Sequence, residues 1–300
     1  MAQPAPWTDA EIRPYLESLG LPGVVDLHVH FMPQNMLDKV WAFFDRVGEQ
    51  GTVPPWTITY RTDEQERVQA LRQMGVRAFT TLNYAHRPGM AGWLNEYSAR
   101  FAAAHPDAIH SGTFYPEPGV AEQVAGCLEA GVRVFKVHVQ VGGFTPLDPL
   151  LEPAWALLEE SGTPVVIHCG NGPTRGEHTG PGPVRELLAR HPRLVLVIAH
   201  AGLPEYGQFA ALAREYPGVH LDTTMVGTSF MEHSFPLPAN YPQIMLDLAD
   251  RVVLGTDFPN IPYPYAHQIE VLAGWGLGDD WMRKVLWENP RRLLGYEPPR

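Results

Sequence analysis

Along this chain, short β-branched apolar runs alternate with longer segments in which apolar residues return every three or four positions. Repeated βα units leave that mixture of period-two and helical-period patterning in a sequence. The runs read as strands are VVDLHVH (24–30), VRAFTTLN (76–83), AIHSGTFY (108–115), VRVFKVHV (132–139), PVVIH (164–168), LVLVIAH (194–200), GVHLDTT (218–224) and RVVLGTD (251–257). Between them lie amphipathic segments at 63–75, 92–106, 120–131, 151–162, 183–192, 205–217 and 240–250, most of them closed by Gly or Pro as helix stops should be. Eight such strands predict the α/β class and, within it, a (β/α)8 TIM barrel.

Residues 31–62, 170–183 and 225–239 are too long for ordinary connections and follow the first, fifth and seventh strands. In a barrel such insertions overhang the C-terminal face, where active sites sit. The stretch WMRKVLWENPRRLLGY (281–296) reads as a closing helix pair. Neither an internal repeat nor an interior linker is visible, so a single domain over 1–300 is expected, with 1–22 as an N-terminal extension.

Composition narrows the picture. At 45% hydrophobic and 18% charged, the 300 residues can bury a sizeable core. A formal charge of −11 disfavours nucleic acid or an anionic membrane as partner. Cys127 and Cys169 are the only cysteines, so no disulfide framework is expected. Without a signal-like N-terminus or a stretch near the ~20 apolar residues of a membrane span, a cytoplasmic location is the expectation. The apolar first insertion, with Trp41, Phe43 and Phe44, suits a homodimer contact.

The polar residues within the strands carry the chemistry. Asp26, His28 and His30 share one face by alternation, while Val25, Leu27 and Val29 share the other. A barrel strand's outer face packs on helices, so the polar triplet should point inward. Two inward histidines at a strand end can chelate one cation, although H-x-H alone is a weak motif. His168, His200 and Asp257 each follow an apolar run and precede a loop, in VVIHCG, VLVIAHAG and VVLGTDFP. Such groups are costly to bury without partners, and a shared metal ion offsets that cost.

The segments DLHVHFMP (26–33), IHCG (167–170), AHAG (199–202), GTDFP (255–259) and ENPRRLLGY (288–296) occur in an order that resembles the amidohydrolase superfamily. The resemblance is to its amidohydrolase 2 branch, which includes aminocarboxymuconate-semialdehyde decarboxylase. It implies one divalent ion, Zn²⁺ foremost, held by His28, His30, His168 and Asp257, with His200 a catalytic residue outside the ligand set. Asp257 could take a proton from a metal-activated water, and His200 could polarise a carbonyl or shuttle a proton. Asp26 is expected to orient the metal region rather than to ligate.

Lys136 is expected to face inward with His138, since Phe135, Val137 and Val139 form the apolar face. It reads either as a carboxylated bridge to a second metal or as an ammonium within the barrel or pocket. His138, Tyr84, His86 and Arg175 are candidate substrate contacts, Arg175 as a clamp for a carboxylate. Trp41, Phe44 and Trp56 belong either to a pocket wall or to a small core of the insertion. By alternation Cys169 should face away from its neighbour His168, and His105 and His191 fall at helix ends. Two reactions suit this constellation. One is hydrolysis of an amide, ester or lactone carbonyl in a small molecule; the other is decarboxylation of an aromatic or unsaturated acid. A non-catalytic metal-binding barrel is the remaining reading.

Overall fold

The computed structural model describes residues 4–51 and 53–298; residues 1–3 of the expected N-terminal extension lie outside them. Its strands are β1 Val24–Asp26, β2 Val76–Thr80, β3 Ala108–Ile109, β4 Ser111–Thr113, β5 Val134–His138, β6 Val165–His168, β7 Leu196–Ile198, β8 Val219–Asp222 and β9 Val252–Val253. The helices are α1 Ile12–Ser18, α2 Gln34–Val47, α3 Glu64–Met74, α4 Ala91–Ala104, α5 Val120–Glu129, α6 Val139–Gly142 and α7 Glu152–Ser161. They continue with α8 Pro181–Arg190, α9 Tyr206–Glu215, α10 Ser229–Glu232, α11 Tyr241–Asp247, α12 Ala266–Gly274, α13 Asp279–Arg283 and α14 Asn289–Leu293. Among the described residues, no helix is long and apolar enough to cross a membrane.

Two compact units emerge. One takes in the described residues up to His30, then Gln34–Phe79, then those from Thr223 onward; the other takes in Phe31–Pro33 and Thr80–Asp222.

In the first unit β1 pairs in parallel with β2, Val24 against Val76 and Asp26 against Phe79. Beyond Asp26 the chain runs beside the segment that follows β9. Leu27 N–H donates to Leu254 C=O (3.0 Å), Asp257 N–H to His28 C=O (2.8 Å) and His30 N–H to Phe258 C=O (2.8 Å). Helix α3 is delimited by its own sequence. Asp63 accepts from Glu66 N–H at 2.8 Å as an N-cap, and Gly75 closes the helix at φ 91°. The expected closing pair is a helical run through α13, a π-helical segment Lys284–Glu288, and α14. Asn289 fastens it by donating to the carbonyls of Ala249 (2.7 Å) and Val252 (2.8 Å).

The second unit is a run of parallel strands β4–β5–β6–β7–β8. Their register places Thr113 opposite Lys136, Lys136 opposite Val166, and His138 opposite His168. Phe135, Val137, Val165 and Ile167 are buried, as the alternation requires of an apolar face. The Phe114 ring meets the indole of Trp155 at 5.1 Å, and that indole donates to Pro146 C=O at 2.8 Å.

Every expected strand is present but shorter. The run 108–115 breaks at His110 into β3 and β4. Beyond β7 and β9 the backbone turns left-handed, with φ 54° at His200, 48° at Ala201 and 68° at Asp257.

Candidate metal centre

Three of the sequence-predicted ligands meet in the first unit. The donor atoms of buried His28, His30 and Asp257 all lie within 4.8 Å of one another. Asp257 Oδ1 stands 2.8 Å from His30 Nε2 and 3.7 Å from His28 Nε2. The two imidazoles sit edge to face, with centroids 5.1 Å apart. Alternation along β1 and its continuation puts both rings on one side, and the left-handed turn at Asp257 brings the carboxylate to them. Non-glycine residues at positive φ are uncommon and cluster at functional sites. Two imidazoles and a carboxylate converging in a buried space are a donor set that suits a divalent ion of the zinc type.

Asp26 is fully buried and already engaged. Its Oδ1 accepts from His28 N–H (3.1 Å), and its Oδ2 accepts from Thr256 Oγ1 (2.6 Å) and from the Tyr265 hydroxyl (2.9 Å). It therefore fixes the backbone of His28. Burial, and then the charge of Asp26, holds the Tyr265 hydroxyl well above the usual tyrosine range, so it stays a donor. Tyr265 is held in turn: its N–H donates to the Tyr60 oxygen (2.6 Å), and Tyr60 donates to Asp9 (2.5 Å).

The loop after Asp257 is clamped by the first insertion. Asn260 N–H donates to Asp257 C=O (2.8 Å), its side-chain oxygen accepts from Trp41 Nε1 (3.1 Å), and its carbonyl accepts from Trp56 Nε1 (2.6 Å). The guanidinium groups of Arg61 and Arg67 each lie 5.4 Å from the centroid of the Trp41 ring, and Phe44 packs on Trp56 at 4.5 Å. These aromatics form a local core.

The second unit gathers a different set. His138 and His168, paired across β5 and β6, stack at 3.9 Å with 12° between planes. His200 meets His168 edge-on at 4.8 Å, and Tyr84 lies 5.1 Å from His138. His168 Nε2 is 3.2 Å from Gly172 C=O. His138 Nδ1 accepts from Val141 N–H at 3.3 Å, which leaves Nε2 to carry the proton of the neutral ring. His200 N–H donates to Asp222 Oδ1 at 2.7 Å, fixing the left-handed turn. Gly202 is required there. Its φ is 80°, and a Cβ would stand 1.9 Å from the Phe209 ring.

Lys136 is buried (1% exposed) on the strand face of His138, and its carbonyl accepts from Thr113 Oγ1 at 2.8 Å. Burial pushes the Cys169 thiol far above its usual range, which leaves no thiolate to act as a nucleophile. Tyr84 and His86 are half-buried, whereas Arg175 is exposed. His105 and His191 close α4 and α8. Sequence reasoning missed Asp222, Thr256, Asn260 and Tyr265. Asp222 ends an apolar run in VHLDTT, the signal that singled out Asp257. The others act through partners distant in sequence and leave no local pattern.

With this geometry in hand, comparison with known proteins gives the fold and the family. An uncharacterized TIM-barrel protein from Bordetella bronchiseptica matches with a TM-score of 0.72 at 21% identity, covering 91% of this chain and 98% of that one. A probable 2-pyrone-4,6-dicarboxylic acid hydrolase from Acinetobacter baumannii, crystallised with citric acid, gives 0.59 at 14% identity, covering 91% and 100%. Dihydroorotase from Campylobacter jejuni gives 0.56 at 13%, covering 93% and 84%. The fold is that of the (β/α)8 barrels. The Amidohydro_2 family model, described as amidohydrolase, matches residues 25–296, and the chain belongs to that family. No curated protein matches by sequence. Amidohydrolases of this family are metal-dependent, in keeping with the site at His28, His30 and Asp257.

Proposed function

We propose that this chain is a metal-dependent hydrolase that opens an amide, ester or lactone carbonyl of a small molecule. The convergence of His28, His30 and Asp257 within 4.8 Å carries the reading. A divalent ion held there, Zn²⁺ in this proposal, would polarise a carbonyl and lower the pKa of water toward neutrality. In the same proposal Asp257 takes a proton from water and His200 steadies charge on the substrate oxygen. His168 enters as a further ligand on the strength of its strand-end position in the family's motif order. His138, with its proton directed to Nε2, is proposed to donate to substrate.

Two structural neighbours, the probable 2-pyrone-4,6-dicarboxylic acid hydrolase and the dihydroorotase, are hydrolases, which supports hydrolysis as the first assay. Decarboxylation, the alternative that the form of residues 26–33 keeps open, calls for a cation against a carboxylate. The arginine offered for that task, Arg175, is exposed on its loop. The family match across 25–296 supports treating the chain as one functional domain.

The test is a panel of lactones, esters and unsaturated acids, followed for both ring or ester opening and CO₂ release. Hydrolysis that is lost in His200→Ala and in Asp257→Asn supports the proposal; CO₂ release without hydrolysis replaces it with the lyase. Metal analysis in the same preparation decides Lys136. One equivalent of metal per chain matches the mononuclear reading, and two would make its carboxylated form the bridge.

A further inference from the structure

Outside the candidate metal centre, three side chains of the first unit form a chain of contacts. Ser229 opens α10, and His267 and Glu270 lie in α12 at the i, i+3 spacing that puts them on one face. His267 Nδ1 is 2.8 Å from Glu270 Oε2. His267 Nε2 accepts from Ser229 N–H at 3.1 Å, and Ser229 Oγ stands 3.1 Å from the same nitrogen. These contacts fix the tautomer. A carboxylate only accepts, so Nδ1 carries the proton; an amide N–H only donates, so Nε2 holds the lone pair. Of the two donors sharing that lone pair, only the hydroxyl can give its proton up. The N–H aligns the ring, and Oγ is the atom that can react.

The three groups are held in place yet remain reachable. The Tyr263 ring packs edge to face on His267, with centroids 5.2 Å apart. Gln268 Nε2 donates to Val226 C=O at 3.3 Å, which ties α12 to the segment leading into α10. Phe230, next to Ser229, meets the Trp56 indole at 4.8 Å. The Thr228 hydroxyl is engaged in the turn, donating to Met225 C=O at 2.9 Å, whereas that of Ser229 is directed to the imidazole. Ser229 is exposed, and the His267 and Glu270 side chains are 20% and 23% exposed. A nucleophile, a base and a carboxylate that orients the base, each within hydrogen-bond reach of the next, are the parts of serine acyl transfer.

We propose that Ser229 is a second, metal-independent reactive centre, a nucleophilic serine that takes the acyl group of an activated carboxylic ester, with His267 as general base and Glu270 orienting it. Oγ attacks the carbonyl carbon while Nε2 takes its proton. The bond to the leaving alcohol breaks, and the proton passes from Nε2 to that alcohol. Water activated by the same nitrogen then splits the acyl–Ser229 ester and releases the acid. The inference stands apart from the metal centre and from the hydrolysis proposed there.

A fluorophosphonate is a suitable probe, because Oγ attacks phosphorus, fluoride departs and the adduct is stable. The purified protein is labelled before and after dipicolinate treatment, with the rate followed by intact mass and the site located by peptide mass spectrometry. The expected result is a single adduct on Ser229, formed at the same rate with and without chelator and absent from Ser229→Ala. His267→Gln and Glu270→Gln should each slow labelling about 100-fold or more. No adduct on wild type overturns the proposal, as does an adduct on another residue or one that needs the metal. A rate unchanged in folded His267→Gln makes Ser229 an ordinary exposed hydroxyl, which overturns it too. Should His267→Gln fail to fold, Glu270→Gln decides by the same criterion.

Discussion

Asp26 lies outside the cluster of His28, His30 and Asp257, yet three donors converge on it, one of them the backbone N–H of His28. Asp26→Asn keeps the shape but turns one acceptor into an NH₂ that faces a donor. Removing such an outer partner typically weakens metal binding by about 10–100-fold, and chelator competition should show a loss in that range. Tyr265→Phe should show a smaller loss, because Thr256 still bonds to Oδ2. Unchanged affinity in Asp26→Asn would remove it from the metal's support. Asp257→Asn isolates charge from backbone, since asparagine tolerates the φ of 68°. That variant should fold, melt near metal-stripped wild type and bind no metal. A folded variant that still holds the ion would sink Asp257 as a ligand. Alternation and strand-end position made His28, His30 and Asp257 readable in advance. Tyr265 and Asn260 were not readable, because their partners Asp26 and Trp41 lie more than two hundred positions away, at separations of 239 and 219.

Elements were legible wherever their period was long and unbroken, as in α3, α4 and β5. They were not legible where tertiary demands cut across the pattern. The run 108–115 alternates like one strand but breaks at His110, whose carbonyl accepts from Arg133 N–H at 2.9 Å. Helix α1 is short, with Pro14 within it, and α12 carries no clear polar face, so neither announces itself. The His110 site has a measurable consequence. Burial lowers the His110 pKa, the hydrogen bond to Ala130 opposing it only in part. The unfolded chain therefore takes up its proton first, near the ordinary value of 6.5. Stability from this site is full above that pH and falls as the pH drops through it toward the lower folded value. Urea unfolding at pH 7.5 and 5.5 should show that His110→Gln loses less stability on acidification than wild type does. An identical loss in both proteins would assign the acid sensitivity elsewhere. The Trp41–Asn260 clamp belongs to this scale as well. Asn260→Ala deletes the acceptor of a buried indole N–H and should cost about 1–3 kcal/mol, read as a lower denaturant midpoint at unchanged slope.

For the whole chain, the family match over residues 25–296 and a net charge of −11 make cation binding a global property as well as a local one. An ion that binds the native state and not the unfolded chain stabilises by RT ln(1 + [L]/Kd), about 2.7 kcal/mol at a hundredfold excess over Kd. In a chain of this size each kcal/mol moves Tm by roughly 2–4 °C or less, so stripping the ion should lower Tm by about 5 °C. Dipicolinate treatment followed by calorimetry tests this, and Asp257→Asn supplies the control. If His28, His30 and Asp257 hold the ion, the chelator lowers the wild-type Tm while the variant's stays put, and zinc restores only the wild type. Long-range attraction of cations by the net charge would act on both proteins alike and fade with added salt. A drop common to both at low ionic strength and absent at high would therefore point to diffuse binding over the acidic surface. A drop confined to wild type, and indifferent to salt, places the ion on the three buried donors.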